Sequence, residues 1–154
     1  MELKQHITLS AAAAAVTAFF TRSLAAGLAC FLAGVLIDLD HVTEYVATFG
    51  PRIKIHAFFE AAHYHIYRRY YLPLHSWELA AGTWLLWIFV LPVDWLLGAA
   101  VGVTLHLFAD QLWNPARGAT YFLIWRALHG FRSEIVFPPE KVILAYPYLI
   151  DRYR

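Results

Sequence analysis

Apolar residues along this chain fall into four long runs, separated by short polar links and by proline. Residues 7–20 form an alanine-rich stretch that polar neighbours extend at both ends. Thr21-Arg22-Ser23 interrupts it, and Ser23 is of the type that caps a following helix. A second run begins at Leu24, reaches Leu39 and continues to about Phe49, where Gly50-Pro51 stops it. Residues 77–93 form a third run, with Leu91-Pro92 near its end. Residues 95–113 form a fourth, begun by Asp94 as cap and closed by Asn114-Pro115. Each run approaches the roughly 20 residues that cross a hydrocarbon core, the first least closely. No stretch alternates with period two over a useful length, which argues against a β-barrel. The pattern predicts an all-α, polytopic membrane helical bundle of about four transmembrane helices, a single integral-membrane domain over residues 1–154.

Between the second and third runs, residues 53–71 repeat with helical period. Ile55, Phe58, Phe59, Ala62 and Ile66 make an apolar stripe, and His56, Glu60, His63 and Tyr67 make the opposite face. With Arg52, Lys54, Arg68 and Arg69 flanking, this segment is expected to be an amphipathic helix in the headgroup layer. Beyond Pro115, residues 121–131 are apolar and aromatic but broken by Arg126 and His129. They are expected to lie on the membrane or against the bundle, followed by a short helix over 140–146 and an interfacial tail.

Composition sharpens the membrane expectation. Apolar residues are 60% of the chain and charged ones 15%, against roughly 45–50% and 25% in soluble domains. Six Trp, nine Tyr and eleven Phe suit a surface that meets lipid. A net charge of +1 with scattered basic residues gives no footprint for nucleic acid. Lone Cys30 sits in an apolar run and supports no disulfide framework. The first run also has the outline of a signal peptide, but Arg22 falls where cleavage would occur and apolar sequence resumes at once; a helical hairpin accounts for both. With four spans, eleven of the twelve Lys and Arg share one side, Arg22 being the exception. The positive-inside rule then puts both termini and the loop over 50–75 in the cytoplasm, in a cell (inner, cytoplasmic) membrane.

The chemistry lies at the ends of these runs. Asp38, Asp40 and His41 close the second, His75 precedes the third, and His106 and Asp110 lie late in the fourth. A charged side chain costs roughly 2.5–3.5 kcal/mol at the bilayer centre on insertion scales, so such groups are usually paired or functional. Asp38 and His41 are three apart, His106 and Asp110 four apart, and each pair shares a helix face. At about 1.5 Å per residue, Asp38 lies roughly 21 Å from Leu24 and Asp110 roughly 22 Å from Trp95. The depths agree. Asp38, His41, His106 and Asp110 are the expected primary ligands, with Asp40 and His75 bridging or completing the sphere. Mixed oxygen and nitrogen donors suit one or two divalent ions, Zn ahead of Mn or Fe. Glu44 reads as an interfacial charge and Asp94 as a cap; His65 points between the two faces of its segment, and His6 and His129 have no partner in sequence.

DLDH at 38–41, LHS at 74–76 and HLFADQL at 106–112 resemble the membrane-bound metal-dependent hydrolases, the YdjM-like inner-membrane family. The resemblance covers about residues 24–114, in order and in membrane setting. It implies Asp38, Asp40, His41, His75, Ser76, His106 and Asp110 as site residues. Where the family has HRxxTHS, this chain has Tyr70 at the first His and Leu74 at the Thr; His63 or Glu60 is the candidate replacement, as a further metal ligand. The PSGH segment of type-two phosphatidic-acid phosphatases, the HExxH of metalloproteases and the four-Asp pattern of CDP-alcohol phosphotransferases are all missing.

The expected function is a membrane-embedded hydrolase that uses metal-activated water at the cytoplasmic interface. Its expected substrate is a phosphoester of a lipid or other amphiphile, with Asp40 or His75 moving protons and Arg68 and Arg69 receiving an anionic headgroup. A non-enzymatic metal-binding or metal-ion transport protein is the alternative from the same ligands.

Overall fold

A computed structural model describes residues 3–63, 66–67, 69–114, 116 and 118–137. The described residues are helical, with no strand beyond an isolated bridge between Arg69 and Arg132. The helices are α1 (Leu3–Thr21), α2 (Leu24–Leu36), α3 (His41–Phe49), α4 (Ile55–His63), α5 (Trp77–Phe89), α6 (Asp94–Trp113), α7 (Leu123–Leu128) and α8 (Ser133–Val136), with a 3-10 turn over Ile37–Asp40. They fall into two compact units, Met1–Asp38 with Leu74–Asn114 and Leu39–Pro73 with Pro115–Arg154.

The first unit contains α1, α2, α5 and α6. Ser23 and Ser76 cap α2 and α5 as their sequence positions predict, accepting hydrogen bonds from the Ala26 and Leu79 amides. Its seams are lined by small residues. A Cβ added to Gly98 would fall against the Ala26 backbone, and one added to Gly102 against the Cys30 backbone, so α2 and α6 meet main chain to main chain. Gly27 packs against the Ala18 side chain and the Ala14 carbonyl of α1, and Gly34 against the Ser10 side chain. Such close approach is how helices associate where water supplies no hydrophobic drive. On α5, Trp84 and Trp77 donate indole N–H groups to Thr104 and Gln111 of α6 at 2.9 and 3.0 Å.

This unit buries several polar groups and exposes large apolar ones. His6, Ser10, Thr17, His75, Ser76, His106 and Asp110 are buried, while Phe19, Phe20, Leu24, Leu28, Ile88 and Phe89 are exposed. Two helical stretches, Leu24–Phe49 and Asp94–Trp113, are long and apolar enough to cross a membrane. The other two expected spans are not of that kind. α1 carries Lys4, Gln5 and His6 in its opening turns. α5 has 13 residues and a length of about 20 Å, against a core of about 30 Å. It stops at Phe89 because Pro92 disfavours helical geometry at Leu91.

The second unit is built on Tyr45, Ala57, Ala61, Ile66, Tyr67, Tyr70, Leu72, Val136 and Phe137. The helix expected over 53–71 is realised only from Ile55 to His63, and it buries Ala57 and Ala61 rather than Ile55 and Phe59. Past that point the aromatic residues win: Tyr67 and Tyr70 enter the core in extended chain, with the Tyr70 amide bonded to the Phe131 carbonyl at 2.9 Å. Glu44 is fully buried, not interfacial. Its Oε1 accepts the Tyr71 and Leu72 amides, both at 2.9 Å. Arg126, also fully buried, donates to the Leu72 carbonyl at 2.8 Å. Together they hold Leu72 at φ +40°, a conformation that a leucine does not adopt unaided. Burial, with Glu44 nearby, pushes the Tyr67 phenol up, and burial does the same to Tyr70. The helix expected over 140–146 lies outside the described residues.

Candidate metal centre

Four side chains of the first unit converge through helix ends and one helix face. Asp38 comes from the 3-10 turn that follows α2. His75 stands immediately before the Ser76 cap of α5. His106 and Asp110 are one turn apart on α6 and point the same way. His75 Nε2 lies 3.2 Å from His106 Nε2, 3.3 Å from Asp38 Oδ1 and 3.6 Å from Asp110 Oδ2. His106 Nε2 lies 3.5 Å from Asp38 Oδ1 and 3.5 Å from Asp110 Oδ2.

Those five spacings are nearly equal, and their size is informative. Ligands about 2.0–2.1 Å from a tetrahedral ion stand roughly 3.3–3.4 Å from one another, the edge of that tetrahedron. Two sets of three donor atoms, His75 and His106 with Asp38 and His75 and His106 with Asp110, therefore lie at separations that one tetrahedral cation would span. Three of the four side chains are almost wholly buried, at 1%, 1% and 5% exposure for His75, His106 and Asp110, whereas Asp38 is 25% exposed. Asp38 is the side from which solvent reaches the cluster.

The orientation of His106 is fixed from behind. Its Nδ1 lies 2.8 Å from the Gly34 carbonyl, so that nitrogen carries the proton and Nε2 presents a lone pair to the centre. Gly34 lies in the last turn of α2, where carbonyls lose their helical partners as the helix ends at Leu36. One terminus thus serves as the outer support of a ligand.

A fifth residue joins the cluster, and sequence reasoning assigned it no role. His6 of α1 is buried, with Nε2 3.3 Å from Asp110 Oδ1 and its ring stacked on that of His106 at 4.2 Å and 16°. His6, His106 and Asp110 offer donor atoms within 4.8 Å of one another, a group that could hold a metal ion. The available signal was depth: His6 opens the first apolar run, at the same end of the bundle as Asp38 and Asp110. Its one acidic neighbour at helical spacing is Glu2.

The remaining sequence candidates are placed by the second unit. Asp40 is buried and its carbonyl accepts the Thr43 hydroxyl at 2.6 Å. His41 is half-buried, with its ring 6.3 Å from that of Tyr67. Glu60 pairs with His56 at 3.5 Å, and Arg69 is exposed. Arg68 and the side chain of His63 lie outside the described residues. No family model, curated protein or solved structure matches this chain.

Proposed function

We propose that this chain is a membrane-embedded, metal-dependent hydrolase of the YdjM-like kind, acting on a phosphoester of a lipid or other amphiphile. The observation that carries the reading is the cluster of Asp38, His75, His106 and Asp110 donors, with five spacings of 3.2–3.6 Å and burial except at Asp38. That donor set and spacing favour zinc over ions that demand six oxygens. When bound, such an ion lowers the pKa of a coordinated water from about 15.7 toward 7 and polarises a phosphoryl oxygen.

The chain's own residues supply the rest. His75, His106 and Asp110 would hold the ion from a buried floor, and the part-exposed Asp38 side is where water or a substrate oxygen would enter. Hydrolysis then forms a bond from water oxygen to phosphorus and breaks the phosphorus–alkoxide bond, with one water proton passing to the departing alcohol. Asp40, two residues beyond Asp38, is the group we assign to that transfer, since His75 is committed as a ligand. Arg69, with Arg68, is assigned to an anionic headgroup. The exposed apolar surface around the buried polar cluster supports a bilayer setting. We place the chain there with four membrane passages and both termini cytoplasmic, α1 and α5 crossing as companions of α2 and α6.

The test is direct. Zinc-loaded protein in mixed micelles should release alcohol from lipid phosphate monoesters or diesters, and chelation should stop it. If it hydrolyses neither these nor lipid esters but moves zinc across liposome membranes, the transport reading replaces this one.

A further inference from the structure

We infer that His6 is a positioning residue of the metal centre, holding the Asp110 carboxylate so that only Oδ2 faces the ion. The inference rests on the metal-centre reading above. Asp110 divides its two oxygens: Oδ2 stands 3.5 and 3.6 Å from the imidazoles of His106 and His75, and Oδ1 stands 3.3 Å from His6 Nε2. A carboxylate free to turn can offer either oxygen or both to a cation. One pinned by an N–H on the far oxygen offers a single lone pair in one direction, and ligating carboxylates are commonly supported in this way.

The proton on His6 has one sensible location. Its Nδ1 is buried and has no hydrogen-bond partner among the described residues, whereas Nε2 stands 3.3 Å from Asp110 Oδ1 at ion-pair distance. The tautomer with hydrogen on Nε2 satisfies the donor and leaves only an acceptor bare, the cheaper of the two omissions. Both side chains are 5% exposed, so the electrostatic contact between them acts in a medium of low dielectric.

The stacked ring adds a second constraint. His6 and His106 lie nearly parallel, so the face of the ligand imidazole is covered by the residue that holds the ligand carboxylate. His106 is then fixed along its edge by the Gly34 carbonyl and across its face by His6. Through this one residue the opening turns of α1 become part of a centre whose ligands all come from later in the chain.

Two substitutions separate the donor from the ring. His6→Phe keeps an aromatic face on His106 and removes the N–H; His6→Gln removes the ring and keeps an amide N–H able to reach Asp110. Each full-length variant is titrated with Zn2+ in detergent, with circular dichroism as the check on folding. Co2+ visible absorption reports whether four ligands remain. His6→Phe should bind one equivalent about 10–100-fold more weakly while keeping the intense four-coordinate cobalt bands. His6→Gln should bind within a few fold of the unaltered protein. Unchanged affinity in His6→Phe, or no recovery in His6→Gln, overturns the inference. X-ray absorption on the unaltered zinc protein gives an answer that needs no variant: two imidazoles in the first shell are expected, and three would make His6 a ligand. Failure of the unaltered protein to bind zinc at all would instead remove the metal centre itself.

Discussion

The seam between α2 and α6 connects packing to metal affinity, and Gly102→Ala is the substitution that exposes the connection. A Cβ at position 102 would stand 3.1 Å from Cys30 Cα and nearer still to its carbonyl oxygen; at position 98 it would stand 2.8 Å from Ala26 Cα. Carbon atoms in ordinary contact sit about 3.5–4.0 Å apart, so the helices must separate by about 1 Å. Neither obstacle is a side-chain tip that can swing away; both are main chain. α2 leads into Asp38, and α6 carries His106 and Asp110, which stand one and two turns beyond Gly102. Metal–ligand distances tolerate about 0.2 Å, so a displacement of that size takes Asp38 out of reach. The expected result is a fall of about 10–100-fold in zinc affinity, with about 1–3 kcal/mol lost from stability by overpacking. Gly98→Ala, a further turn away, should cost similar stability and less affinity. Gly82→Ala on α5 is the control: a Cβ there meets nothing within 4 Å, and better helix propensity should leave stability equal or up to about 1 kcal/mol higher. Chelator competition gives the zinc Kd and thermal unfolding in detergent gives the stability order. Equal Kd and equal Tm for Gly102→Ala and Gly82→Ala would refute the reasoning.

Other expectations follow from single residues. His106→Ala should abolish stoichiometric zinc, while Asp38→Asn should retain it at lower affinity because the three buried ligands remain; elemental analysis after gel filtration distinguishes them. Asp40→Asn should keep the metal and lose turnover, whereas Arg69→Ala should chiefly raise KM, a split read from steady-state kinetics on a lipid phosphate. Tyr67 and Tyr70 have buried hydroxyls with no hydrogen-bond partner among the described residues, so Tyr70→Phe should be neutral or stabilising by about 1 kcal/mol in denaturant unfolding. Both phenols are held above the ordinary value near 10, so their contribution is intact below about pH 10 and lost as pH rises beyond it, where the unfolded chain releases those protons first. Impermeant thiol labelling should find cysteines at positions 22 and 69 on opposite sides of the membrane; labelling from one side would reject four passages.

Helix ends were legible because their signals are local. Ser23, Ser76, Gly50 and Asn114 act within one turn, and the structure uses each as a boundary. What failed depended on distant partners. The stripe over 53–71 has helical period throughout, yet Tyr67 and Tyr70 leave the helix because aromatic burial against Val136 and Phe137 outweighs nine residues of modest propensity. Glu44 read as interfacial because nothing near it in sequence is basic; its partners are the amides of Tyr71 and Leu72, more than twenty-five residues away. Two of the four expected spans are less apparent in the structure for a simpler reason: Pro92 shortens α5, and Lys4, Gln5 and His6 dilute α1.

The candidate cluster was legible in proportion to how its members are ordered along the chain. His106 and Asp110 disclose themselves by a spacing of four, and Asp38 by ending an apolar run at matching depth. His75 is set by a helix start and its position follows from Ser76. His6 discloses little locally, because its partners are one hundred or more residues away on α6 and reach it through the small-residue seams at Gly27 and Gly34. Those same seams decide how near α1 and α2 come, and so how near His6 comes to Asp110. Ligand types can be read from residue identity and depth, but the layer that orients them, the Gly34 carbonyl behind His106 and the His6 donor behind Asp110, is written in where helices stop and how closely they pack. A sequence with every ligand intact and alanine at its seam glycines would carry the same motifs and a weaker site.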